Sequence, residues 1–192
     1  LLIAIAGSKR SPPTQTPTTT TRENIGAPST ISLTTPGVEI IGLLPRRSPL
    51  TDLPLWAALA TDAVQCEDLL FQLVERMGDR TGAEAPIVVV LDDGNELTDT
   101  PAGGYLEKVL RRGRDCAVHV IGAAESASAL RSYGGWIPQI RKDRRALLLN
   151  PDPDIDGDLV GVRLPRRSGG GLPPGRGYLC LDGVVELVQV AM

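Results

Sequence analysis

The chain has 192 residues, of which 42% are hydrophobic and 22% charged, with a formal net charge of −3. That is enough apolar material for one domain with a real core, and it excludes an intrinsically disordered chain. The near-neutral balance also excludes a uniformly basic nucleic-acid-binding surface and leaves room only for a local patch.

Leu1 to Ala6 is an apolar run that reads as a buried strand. It has no basic region before it and no long apolar core, so it is not a signal peptide, and it reads as the start of a segment from within a longer protein. No run in the chain is long enough to span a bilayer. The strand leads into Gly7-Ser8-Lys9-Arg10-Ser11-Pro12-Pro13-Thr14. Laid on the phosphate-binding template G-x-x-x-x-G-K-[ST], Gly7 supplies the first glycine and Thr14 the final hydroxyl that would face Mg²⁺. Pro12 stands at the second glycine, where a backbone N–H should meet phosphate, and Pro13 stands at the lysine. Lys9 and Arg10 bring positive charge to the loop at a different spacing. The following Thr-rich stretch, with Pro17, Pro28 and Pro36, opposes the helix that should cradle phosphate. Residues 12–36 therefore read as a low-complexity insertion.

Val38 to Leu44 reads as a second parallel strand, ended by the basic loop Pro45-Arg46-Arg47-Ser48-Pro49. From Asp62 the period changes, with Cys66, Leu69, Leu70, Leu73 and Met77 recurring at helical spacing; Thr61 or Asp62 caps this helix and Gly78 ends it. Pro86 to Asn95 holds five consecutive aliphatics and then Asp92-Asp93-Gly94, which predicts a central strand buried on both faces. The paired carboxylates have two readings. In one, Asp92 holds Mg²⁺ and Asp93 polarises an attacking water; in the other, Asp-Gly begins a turn.

Asp99-Thr100-Pro101 predicts a helix start, with Leu106, Val109 and Leu110 as the buried stripe. Cys116 to Ala123 is a further strand, followed by Glu125 and Ser126 as either a nucleotide-sensing pair or a helix cap. Trp136 to Ile140 reads as a short helix, and Arg141, Lys142, Arg144 and Arg145 as a basic cluster before the strand Ala146 to Leu149. Asn150 to Asp158 reads as a surface loop, and Asp182-Gly183 between two apolar runs predicts a type I′ hairpin. The three cysteines Cys66, Cys116 and Cys180 are odd in number and sit in apolar segments, which suggests core residues in a reducing compartment. His119 has no partner at metal-ligand spacing, so no zinc site is expected.

Several segments together resemble the C-terminal ATPase module of actinobacterial FtsK/SpoIIIE-type proteins, including the EccC proteins of type VII secretion. They are residues 43–50 (LLPRRSPL), 88–93 (VVVLDD), 99–102 (DTPA), 157–166 (GDLVGVRLPR), 172–177 (LPPGRG) and 188–191 (VQVA). The resemblance spans nearly the whole chain as a single module, residues 1–192. It implies an α/β fold, a RecA-like P-loop NTPase αβα sandwich with a mostly parallel sheet, here ending in a β-hairpin. It also implies Asp92 and Asp93 at the Walker B positions, with Gly7, Ser8, Lys9, Arg10, Ser11 and Thr14 as the Walker A loop. ATP and Mg²⁺ are the cofactors implied. Asp92 and Thr14 would lie on the metal side and Asp93 in the catalytic role. The partners implied are sister ATPase domains or ring subunits and a secreted protein or DNA. The implied setting is the cytoplasmic face of the cell membrane, reached through other parts of a parent protein. Where this chain has Pro12-Pro13-Thr14, related modules have Gly-Lys-Ser/Thr or Gly-Arg-Ser, which implies a module whose role is regulatory or substrate-docking, with weak nucleotide binding and little or no hydrolysis.

Overall fold

A computed structural model describes residues 2–6, 37–166 and 172–190. The described strands are β1 (Leu2–Ala6), β2 (Glu39–Leu43), β3 (Ala58–Ala60), β4 (Ile87–Leu91), β5 (Val118–Glu125), β6 (Arg145–Leu149), β7 (Arg176–Leu181) and β8 (Val184–Gln189). The helices are α1 (Ala63–Gly78), α2 (Pro101–Arg112), α3 (Ser126–Arg131) and α4 (Trp136–Arg141), with short 3₁₀ turns between elements. All strands join one sheet in the order β3-β2-β4-β5-β1-β6-β7-β8. From β3 to β6 every pairing is parallel, and β7 and β8 add antiparallel strands at one side. The mostly parallel α/β sheet and the C-terminal hairpin thus agree with the sequence expectation.

Local chemistry accounts for the elements. The Asp62 carboxylate caps α1 by accepting from the Gln65 N–H at 2.9 Å, satisfying one of the free donors of the first turn. Cys66, Leu70, Leu73 and Met77 then turn one buried stripe inward. Pro101 opens α2 at a position whose N–H is not needed. The expected cap acts differently, because the Thr100 hydroxyl donates to the Leu97 carbonyl at 2.9 Å rather than accepting from the helix. Asp182 and Gly183, at φ 49° and 91°, make the tight turn between β7 and β8, and both signs match a type I′ turn.

One continuous face carries the core: Ile41 and Leu43 on β2, Val89 and Leu91 on β4, Val120 and Ala124 on β5, Ala146 and Leu148 on β6, Tyr178 and Cys180 on β7. Helices α1, α2 and α4 pack side by side, with Trp136 and Ile140 of α4 over Gly122. β4 departs from the sequence expectation here. Ile87, Val89 and Leu91 are buried, but Val88 and Val90, on the opposite face, are only half-buried. The unbroken aliphatic run hides this asymmetry because it has no polar alternate to mark the barer side. β5 begins two residues later than expected, since Cys116 closes a 3₁₀ turn and Ala117 takes a left-handed conformation, φ 52°. The three cysteines are free and buried, as expected. Burial pushes the Cys66 thiol up to about 11, with the Asp62 charge adding to the effect.

Candidate functional site

The carboxyl ends of the parallel strands form the edge where α/β sheets collect ligands. β1 runs out at Ala6, paired with Glu125 at the end of β5, and β4 runs out at Leu91, paired with Gly122. β5 separates the two, so the chain leaves β1 toward Gly7 about 10 Å across the sheet from β4, two inter-strand spacings. Gly7, Ser8, Lys9, Arg10, Ser11 and Thr14, and the 12–36 insertion, lie outside the described residues.

Asp92 and Asp93 stand directly beyond β4, both half-buried. The Asp92 N–H donates to the Leu43 carbonyl at 3.1 Å, which extends the β2–β4 ladder by one step and fixes the backbone there. Its side chain is held from both sides. Ser48 Oγ donates to Oδ2 at 2.7 Å, and the Asp93 N–H donates to Oδ1 at 3.1 Å. Two such hydrogen bonds fix the orientation of the carboxylate. Asp93 takes a left-handed conformation, φ 47° and ψ 42°, and starts a 3₁₀ turn over Gly94–Leu97 without its side chain capping that turn.

Ser48 is the site residue that sequence reasoning missed. The neighbouring Arg46 pairs with Glu96 at 3.3 Å and both Arg46 and Arg47 are exposed, as solvated loop charges are, while Ser48 is buried. The Ser48 hydroxyl also accepts from the Leu50 N–H at 3.2 Å, which makes it the cap of the Pro49–Asp52 turn. Ser-Pro in the loop that follows a parallel strand was the available signal, because it marks a capped turn at the ligand-bearing edge. Trp56 secures the same loop by donating to the Leu50 carbonyl at 2.9 Å.

Under the carboxylates lies Trp136, 1% exposed. A Cβ on Gly94 would come within 2.6 Å of Trp136 Cζ2 and 2.8 Å of Leu91 Cδ2, so the residue after Asp93 has to be glycine for the turn to rest on the indole. The Trp136 Nε1–H is buried without a hydrogen-bond partner.

Other expected groups are not gathered at this edge. Glu125 is exposed at the end of β5 and Ser126, beginning α3, is buried. The basic cluster is dispersed by its partners: Arg141 reaches back to the carbonyls of Leu159 and Asp158 at 3.2 Å, Lys142 bonds Gln139, and Arg145 pairs with Asp182 at 3.0 Å. His119 is exposed. It lines a cavity of about 800 Å³ at the amino ends of β5 and β6, opposite the Asp92 edge, where Arg114–Asp143 and Arg145–Asp182 balance the charge. Asn150 to Asp158 is a structured turn rather than a plain surface loop, since Asp156 is buried and accepts from the Asp152 N–H at 2.8 Å.

Among the described residues there is no cluster of three or more His, Cys, Asp or Glu side chains able to cage a metal. Mg²⁺ beside a nucleotide needs no such cage, because one or two carboxylates share it with phosphate and water. Asp92, pre-oriented at the ligand-bearing edge, suits that share.

No sequence-family model and no curated protein matches the chain. Solved structures do. The chain is similar to the Thermomonospora curvata EccC (ATPases 2 and 3) in complex with a signal sequence peptide, at 22% identity and a TM-score of 0.64, over 80% of this chain and 31% of that one. It is also similar to EssC (ATPases 2 and 3) from Geobacillus thermodenitrificans, at 16% identity and 0.58, again over 80% and 31%. A third match is the pCW3 conjugation coupling protein TcpA, solved as a monomer with ATPγS, at 13% identity and 0.56, over 80% of this chain and 52% of that one. The chain spans under a third of the length of the EccC and EssC chains. The fold is the one that these three structures share over four-fifths of this chain.

Proposed function

We propose that the chain is a degenerate FtsK/SpoIIIE-type ATP-binding module of a translocase for secreted protein or DNA, with a regulatory or substrate-docking role and weak or no hydrolysis. The observation that carries this is the Asp92-Asp93 pair at the carboxyl end of β4, its first carboxylate oriented by Ser48, two strands from the strand that runs to Gly7. Degeneracy is inferred from Pro12 and Pro13, which remove a backbone donor and the lysine charge from the phosphate loop. In this reading Asp92 holds the metal side of Mg·ATP together with the Thr14 hydroxyl, and Gly7, Ser8, Lys9, Arg10 and Ser11 face phosphate. The bound Mg²⁺ supplies charge neutralisation of the phosphates.

A second reading, an active ATPase, draws on the Asp93 carboxylate, which makes no hydrogen bond among the described residues and is therefore free to orient a water. Lys9 or Arg10 would then replace the missing lysine and a neighbouring subunit would supply an arginine. The translocase assignment draws on the secretion and conjugation ATPases that share the fold, and docking on the EccC structure that holds a signal sequence peptide. Sister ATPase domains or ring subunits would be its neighbours. No helix among the described residues is long and apolar enough to cross a membrane, so residence at the cytoplasmic face of a membrane would come through other parts of a parent protein.

Calorimetry of Mg·ATP with the wild-type chain and with Asp92→Ala tests the reading. Weak binding, near millimolar and lost in Asp92→Ala, is the expected result. Absence of binding at millimolar nucleotide rejects the nucleotide site and leaves docking alone. Tight binding with turnover that Asp93→Asn abolishes selects the active ATPase.

A further inference from the structure

We infer that Trp56 is a positioning residue for the Asp92 carboxylate, acting through Leu50 and Ser48. This role rests on the reading of Asp92 as the metal-side group of the site, although the indole itself bonds Leu50 and not Asp92. Three hydrogen bonds run in series. Trp56 Nε1–H donates to the Leu50 carbonyl at 2.9 Å, the Leu50 N–H donates to Ser48 Oγ at 3.2 Å, and Ser48 Oγ donates to Asp92 Oδ2 at 2.7 Å. An ionised carboxylate only accepts, so the single Ser48 proton goes to Asp92 while the Leu50 N–H takes a lone pair of the same oxygen. The two tryptophans of the chain thus back the two donors that hold Asp92. Trp136 lies under the turn that begins with the Asp93 N–H, and Trp56 lies behind the loop that carries Ser48.

The turn that presents Ser48 fixes its own shape but not its place. The Thr51 N–H and Oγ1 both donate to the Ser48 carbonyl, at 3.3 and 2.8 Å, and the Leu53 N–H donates to the Leu50 carbonyl at 3.2 Å. These bonds close the turn on itself, and none reaches the sheet. Around it Arg46, Arg47 and the residues from Thr51 to Pro54 are exposed. Trp56 supplies the attachment. A Cβ on Gly42 would come within 2.9 Å of Trp56 Cε3 and 3.1 Å of Cδ2, so the indole is seated on the bare backbone of β2. The next residue is tied to the same strand, because the Ala57 N–H donates to the Ile40 carbonyl at 2.8 Å. Asp92 is anchored there too, through its N–H to the carbonyl of Leu43, the neighbour of Gly42. One strand therefore holds both the seat of the indole and the backbone of the carboxylate, which sets how far Ser48 reaches. A positioning residue needs such a shared reference, since a group held to a mobile loop would only move with it.

Amide hydrogen exchange followed by nuclear magnetic resonance, on the wild-type chain, Trp56→Phe, Ser48→Ala and the double variant, tests this without any ligand. Phenylalanine keeps a ring over Gly42 and removes the N–H. In Trp56→Phe the Asp93 amide, which donates to Asp92 Oδ1, is expected to exchange about 10-fold faster, while the Asp92 amide, bonded to the Leu43 carbonyl, keeps its wild-type rate. Ser48→Ala is expected to do the same, and Trp56→Phe to add nothing to it, because the indole acts through the hydroxyl. Acceleration confined to the loop, acceleration of Asp92 together with Asp93, or additive effects in the double variant would each assign Trp56 to ordinary packing and overturn the inference. Calorimetry with Mg·ATP reads the consequence at the site: affinity is expected to fall about 10-fold in either single variant and no further in the double. Wild-type affinity in Trp56→Phe would also overturn it. A wild-type chain that binds no nucleotide rejects the nucleotide site instead, and the exchange rates alone then decide whether Trp56 positions Asp92.

Discussion

Asp93-Gly94 and Asp182-Gly183 are the same dipeptide, each following a strand, with aspartates in nearly the same left-handed conformation at φ 47° and 49°. In the hairpin, Gly183 is needed for its backbone, since its φ of 91° suits a residue without a Cβ and nothing lies within 4 Å of where one would be. Beyond β4, Gly94 is needed for its size, because Trp136 and Leu91 leave no room. One turn makes only a reversal. The other ties Asp92 to Ser48 above and rests on an indole below, so a turn signal in the sequence became a rigid support for a carboxylate pair.

The sharpest test of that contrast is a pair of alanine substitutions. Gly94→Ala should cost about 2–3 kcal/mol in urea denaturation through overpacking against Trp136, whereas Gly183→Ala should cost about 1 kcal/mol from backbone strain alone. Equal losses would mean that Trp136 yields easily and that the two turns are the same device. Ser48→Ala comes next: removing a hydrogen bond to a charged group should cost about 1.5–2 kcal/mol and weaken nucleotide binding, while Ser48→Thr, which keeps the hydroxyl, should restore much of both. A Ser48→Ala protein with wild-type stability and affinity would show that Asp92 needs no such support.

The smallest effect is expected at the far end of β2, where charge is paired in the open. Arg76 donates to both Glu39 oxygens, at 2.8 and 2.7 Å, and holds that carboxyl below its usual range, yet the arginine side chain is half exposed. Because the folded-state pKa is the lowered one, the stabilisation is present above the ordinary carboxylate range and is lost as pH falls through the folded value. Arg76→Ala should therefore cost under about 1 kcal/mol at neutral pH, with the difference from wild type shrinking in acid. A loss that grew in acid would assign the effect to packing.

Much of the fold was legible because it rests on short-range rules. Helical spacing from Cys66 to Met77, Pro101 at a helix start and Asp182-Gly183 between apolar runs each name one local geometry, and each formed as read. The site was half legible. Asp92-Asp93 after an aliphatic run marked the strand end, but Ser48 lies 44 residues earlier and its role depends on β2 pairing with β4. The basic run from Arg141 to Arg145 shows the same dependence, because Arg141 and Arg145 find carbonyls and a carboxylate on distant segments. By itself, the sequence determined the local elements, the alternation of strands and helices that demands a parallel sheet, and the presence of two carboxylates at the end of β4. Only the tertiary structure decided which face of β4 is bare, which glycine is required by packing, and which hydroxyl holds Asp92. Local backbone preference and apolar spacing are properties of neighbouring residues, whereas burial and hydrogen-bond partnership are settled when strands far apart in the chain are brought together.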